Sequence, residues 1–170
     1  EITLWSINQF QERIDPLHPN QGKLDASQLG YYERIFDEDL NQDGIFEFLS
    51  YDTRFASTFA SFAGSGFPIQ IWQYRQGKMI DVTRQFPNLV YNDATRYWQL
   101  YSQARAEDRE VKGLLAAYLA NKYLLNQSED GWKRVRDAYQ GVDRLAFFSQ
   151  LKQFLSENGY ETNANKADVT

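Results

Sequence analysis

The hydrophobic pattern of this chain changes period once, and that single change restricts the folds open to it. Ile69, Ile71 and Gln73 alternate with Gln70, Trp72 and Tyr74, the period-two rhythm of a strand, and Met79 to Thr83 return after a turn at Arg75 to Lys78 that contains Gly77. From Asn92 onward the apolar residues recur instead every about 3.6 residues, the rhythm of helices. Strands followed by helices must bury their apolar faces against one another. The expected class is therefore α+β, a small antiparallel β-meander covered by a C-terminal set of about four helices.

The helical part divides at its polar residues. Asp93 is expected to cap a helix carrying Tyr97, Trp98 and Tyr101. Val111, Leu114, Leu115, Tyr118, Leu119 and Leu125 form the most continuous apolar stripe in the chain and define a second helix. Ser128 caps a third, with Glu129 and Asp130 in its first turn and Trp132, Val135 and Tyr139 on its buried side. Asp143 caps a fourth, which presents Phe147, Phe148, Leu151, Phe154 and Leu155 before Gly159 closes it.

Upstream, Leu4, Ile7, Gln11 and Ile14 lie at helical spacing, so residues 2–14 read as a short amphipathic helix ended by Pro16. Asp15 to Asp25 carries turn chemistry, and residues 31–36 read as a strand. Phe46 and Phe48 alternate with Glu47 and Leu49 in a run suited to a strand packed on both faces. Residues 54–67 fit either a helix, through Phe55, Phe59 and Phe62, or an irregular close-packed segment. The expected organisation is one α+β domain over residues 1–160: an N-terminal helix and loop (1–30), a β-rich part (31–86) and a helical part (87–160). Residues 161–170, polar and without aromatics, read as a disordered tail.

Charge and composition remove several function classes. Eighteen basic against twenty-three acidic residues leave a net charge of -5, which repels a phosphate backbone and argues against a nucleic-acid partner. No apolar run reaches the roughly 20 residues that span a bilayer. The chain begins at Glu1, as expected of a mature exported protein without its leader or of a piece of something longer. The absence of cysteine removes thiolate metal sites, thiol catalysis and disulfides. His18 is the only histidine, so a His-Cys zinc site is excluded and any Ser-His-Asp triad rests on one imidazole between prolines. Gly64-Ser65-Gly66 lacks the flanking residues of a nucleophile elbow or a phosphate loop and reads as a tight connection. Arg54, Arg75, Arg84, Arg96 and Arg105 are scattered without periodicity, and solvated charge is their default role.

One motif carries a mechanism. Asp39, Asn41, Asp43, Gly44 and Glu47 form the pattern DxNxDGxxE, whose alternate oxygen-bearing side chains can turn inward around one hard cation. The expected metal ligands are Asp39, Asn41, Asp43, the Ile45 carbonyl and Glu47, and Gly44 permits the sharp turn between them. Calcium suits a flexible loop of this kind better than magnesium, which demands a stricter octahedron. The alternative is an Asx-rich turn between strands, acidic only because turns favour Asp, Asn and Gly. Mutual repulsion among the acidic groups favours a shared cation, and Asp37, Glu38 and Asp52 stand near enough in sequence to complete its shell or simply to face solvent. An EF-hand would place a bidentate Glu twelfth from Asp39, where this chain has Ser50, and both flanks read as strands rather than helices.

This loop, followed by FEFLSYD and later by IQIWQYRQGKMIDVT, resembles one calcium-loop repeat of the FG-GAP and VCBS type. The resemblance covers about residues 39–83, with 54–67 as an insertion and Asp81, Val82 and Thr83 at the end of the hairpin. It implies a structural Ca2+. Propellers of that type need several blades, and this chain carries one copy of the loop, so the helices are expected to cover the open face.

The leading expectation is a calcium-stabilised, non-enzymatic binding or accessory domain of an exported (periplasmic or secreted) protein, with a protein or glycan partner. A carbohydrate-active domain, binding or hydrolysing, would instead use a carboxylate pair beside exposed aromatics, with Trp72 and Tyr74 as the stacking platform. An acidic domain docking on a basic protein surface is the third possibility.

Overall fold

The computed structural model describes residues 39–161. The expected helix over 2–14, the loop from Asp15, the strand over 31–36, His18, Asp37, Glu38 and all but the first residue of the expected tail lie outside the described residues.

Three strands make an antiparallel meander in the order β1 (Glu47–Tyr51), β2 (Ile69–Arg75), β3 (Lys78–Asp81). Gln76 and Gly77, both at positive φ, close the β2–β3 hairpin as its alternation required. The register sets Glu47 opposite Gln73 and Leu49 opposite Ile71, so these four share a face, while Phe48 and Trp72 share the other. The strand expected from Phe46 begins at Glu47. Phe46, just before the strand, is exposed, and Glu47 is wholly buried on the helix side, because Gln73 opposite it supplies a hydrogen-bond partner.

The segment between β1 and β2 settles as two single-turn 3-10 helices, Thr53–Phe55 and Phe62–Gly64, rather than one helix. Asp52 and Ser61 cap them by accepting the N–H groups of Arg54 and Gly64. Phe55 and Phe59 turn inward onto Phe154 with ring centroids 4.8 and 5.2 Å apart in edge-on geometry.

Helix α1 runs over Pro87–Ala106, α2 over Lys112–Leu124, α3 over Ser128–Ala138 and α4 over Arg144–Glu157. The first begins six residues before the expected cap, because Pro87 in the first turn already has the helical φ. Asp93 is therefore interior to the helix, and buried. Its carboxylate accepts the Ile69 N–H at 3.1 Å, the Asn121 amide at 2.7 Å and the Arg96 guanidinium at 2.7 Å, tying β2, α1 and α2 together. Gln127 rather than Ser128 precedes α3, whereas Asp143 precedes α4 as expected.

Every residue from Leu115 to Tyr123 is buried, so α2 is a central helix and not an amphipathic one. Small residues make this possible. Ala116, Ala117 and Ala120 fill the sides its large residues leave, and Gly113 lies against the Gly64 carbonyl where a Cβ has no room. Helices α1, α3 and α4 all pack against it. The sheet rests on the start of α1 and the end of α2 through Leu49, Ile69, Ile71, Val82, Val90 and Leu124. The described residues thus form an α+β fold, with the helices following the strands in the chain. No helix among them is long and apolar enough to cross a membrane.

Candidate functional site

The loop ahead of β1 is organised by its own side chains. Asp39 Oδ1 and Asn41 Oδ1 both accept the Asp43 N–H, at 2.9 Å each. Asp39 Oδ2 accepts the Gly44 N–H at 2.7 Å, and Asp43 Oδ1 accepts that of Ile45 at 2.9 Å. Gln42 and Gly44 take positive φ, +60 and +84°, a bend Gly44 makes without the Cβ penalty. At the base of the loop the Leu40 N–H donates to Glu47 Oε2 at 2.6 Å. The structure therefore brings Asp39, Asn41 and Asp43 together over one tight bend and joins Glu47 to it from below. Ile45 takes part through its N–H.

Positive charge and N–H dipoles balance these acids. The Ile45 N–H holds the Asp43 carboxyl below the usual carboxylate range against a small opposing effect of burial, helped by the Asn41 and Gln73 side chains and by Arg75. The Arg75 guanidinium stands 3.4 Å from Asp43 Oδ2. Among the described residues no three Asp, Glu, His or Cys side chains are gathered closely enough to hold a metal by themselves. The oxygens remain suited to a hard cation, since a carboxylate oxygen that accepts one N–H keeps a second lone pair.

Gln73 and Arg75, which complete the surroundings of the loop, escaped the sequence analysis because they reach it across the β1–β2 pairing. The strand alternation was the one signal that would have placed them there. Asp52 does not join the loop and does not face solvent. It is 2% exposed and takes hydrogen bonds from Arg54, at 2.6 Å, and from the Tyr160 hydroxyl, at 2.8 Å.

Two other features bear on function. Trp72 and Tyr74 lie on the sheet face away from the helices, and Tyr74 is 47% exposed. A groove of about 620 Å³ runs between the second 3-10 turn, the middle of α1 and the start of α2, lined by Ser61, Ser65, Arg96, Tyr97, Glu110 and Leu114. Ser61 donates both its N–H and its hydroxyl to Glu110, which caps that turn from outside. No imidazole stands among its lining residues to activate the hydroxyl.

A β-meander backed by a helical bundle, with an Asx-rich loop leading into its first strand, is the class that fold and site define. Residues 90–159 match the family model of the sll0997 C-terminal domain, a stretch that holds most of α1 and all of α2, α3 and α4 but neither sheet nor loop. The chain is 38% identical over 132 residues to the probable thylakoid lumen protein sll0997 of Synechocystis sp., an alignment covering 74% of this chain and 39% of that protein. It is 29% identical over 146 residues to the uncharacterized protein y4bJ of Sinorhizobium fredii, covering 72% of this chain and 23% of that protein. The chain thus spans well under half the length of either relative. No solved structure matches it.

Proposed function

We propose that this chain is an extracytoplasmic, non-enzymatic accessory or binding domain whose loop from Asp39 to Glu47 takes one structural calcium ion. The location is supported by the similarity to a probable thylakoid lumen protein. The observation that carries the ion is the meeting of Asp39 Oδ1 and Asn41 Oδ1 on a single N–H, which turns two hard oxygens to the same side of the loop. Residues 39–83 then make one calcium-loop repeat of the FG-GAP and VCBS type. In keeping with it, the hairpin β2–β3 ends at Asp81-Val82-Thr83, and Asp81 accepts the Thr83 N–H at 2.9 Å and its hydroxyl at 2.6 Å.

An ion bound only by the folded loop adds about 2.7 kcal/mol at one hundred times its dissociation constant. For a domain of this size that corresponds to a rise of about 5–10 °C in melting temperature. Melting curves in millimolar calcium and in EDTA are expected to differ by that amount for the native chain and to coincide for Asp43→Ala. Coincident curves for the native chain would remove calcium from this proposal.

The outer face of the sheet favours a second reading, glycan binding by stacking on Trp72 and Tyr74. It is tested by a glycan array probed with the native chain and with Trp72→Ala, and equal signals would eliminate it.

A further inference from the structure

We infer that the groove between the second 3-10 turn, α1 and α2 binds a carboxylate carried on an apolar body, as a small organic acid or the free chain end of a peptide, with Arg96 as its anchor. The inference goes beyond the calcium loop and is independent of it.

Arg96 is set in place before any ligand arrives. Its Nε and Nη2 donate to Asp93 Oδ1 at 3.0 and 2.7 Å, and its guanidinium carbon lies 4.2 Å from the centre of the Tyr97 ring. Asp93 is buried and is held in turn by the Ile69 N–H and the Asn121 amide. One edge of the guanidinium is thus occupied by a buried carboxylate and one flat face by an aromatic ring. What remains is the far end, with Nη1, on a side chain that is 37% exposed and lines the groove. A guanidinium fixed in this way offers a fork of N–H donors to a carboxylate with little further loss of freedom.

The rest of the lining sets the class of ligand. Phe67, Leu100 and Leu114 give it apolar walls that are only partly buried, and Phe62, packed on Phe67 with ring centroids 5.9 Å apart, is 69% exposed. A volume of about 620 Å³ is that of a small-molecule site. From Arg96 to the end of α1 at Ala106 the helix rises about 15 Å, the length of an extended chain of about four residues. Charge narrows the choice further. Asp93 balances Arg96, Glu107 pairs with Arg109 at 2.7 Å, and Asp108 and Glu110 also line the groove, so its described lining has no surplus positive charge for a dianion such as a phosphate monoester. A singly charged acceptor, held by the fork and by apolar contact, fits these walls.

The test uses the full chain, isotope-labelled for NMR and titrated with phenylbutyrate and with its neutral amide to about 20 mM, since an acid of that size binds at about 1 mM at ordinary ligand efficiency. The acid is expected to shift the Arg96 side-chain signal and the Leu100 and Leu114 amides, and the neutral amide to bind about tenfold more weakly. Ala63 is an exposed part of the lining, so its variants leave the core untouched. Ala63→Glu is expected to weaken the acid about threefold or more and Ala63→Lys not to weaken it. Arg96→Gln, if its melt stays cooperative, is expected to erase the preference for acid over amide. A tetrapeptide ending in Leu-Phe, as free acid and as amide, separates the two sources: tighter binding than phenylbutyrate makes a chain end the ligand, weaker binding a small acid. If neither acid moves these signals, if acid and amide bind alike, or if both Ala63 variants bind the acid as the native chain does, the inference is overturned and the calcium reading is untouched.

Discussion

Asp52 shows how a single carboxylate can join distant parts of this chain. Burial pushes its carboxyl up, but hydrogen bonds from Arg54 and Tyr160 outweigh that and leave it below the usual carboxylate value. Its stabilising effect is therefore complete above about pH 4 and lost as the pH falls through the lowered folded value. Asp52→Asn is expected to cost about 2 kcal/mol at neutral pH and to flatten the loss of stability below about pH 4, as read from urea midpoints across pH. At this scale the sequence was informative about residue type and silent about partners. The acidic loop was legible because its donors and acceptors are neighbours in the chain. The arginines were not, since Arg54 reaches Asn158 and Arg84 reaches Tyr160, and no local spacing encodes such pairings.

Among the elements, the hairpin and the last three helices were readable because each carries its own signal: alternation around a turn, an apolar run, or an acidic residue at the helix start. The first helix was misjudged at its start, where Asp93 looked like a cap and is a buried tie between elements. Its replacement by Ala is expected to cost about 3–5 kcal/mol, because Asn121 and the Ile69 N–H would lose a buried partner and Arg96 its counter-charge, with thermal or urea melts as the check. At the C-terminal end of α2, the Arg84 guanidinium donates to the Tyr123 and Leu124 carbonyls at 2.9 and 3.1 Å and to that of Tyr160 at 2.7 Å. A cation on the last carbonyls of a helix completes bonds the helix cannot make for itself. Arg84→Ala is expected to lose about 2 kcal/mol in a urea melt, and Arg84→Lys to recover only part of it, since one ammonium cannot span three carbonyls in a fork.

For the described residues as a whole, the α+β class followed from the change of period, but the arrangement of the layers did not. Sequence patterning gave α2 a stripe, whereas its small residues let three helices and the Gly64 segment close around it. Gly113→Ala is expected to destabilise by about 1–3 kcal/mol, as seen in calorimetry, because the added methyl meets backbone that cannot yield.

The enclosure of α2 also bears on recognition. A rod sheathed from Leu115 to Tyr123 has nothing to show a visitor along that stretch, so whatever meets the described residues is greeted by their rind: the aromatic side of the sheet, the acidic bend, the groove beside Ser61 or the outward flanks of the other three helices. Changes along the hidden rod will then register as altered endurance rather than altered taste in companions.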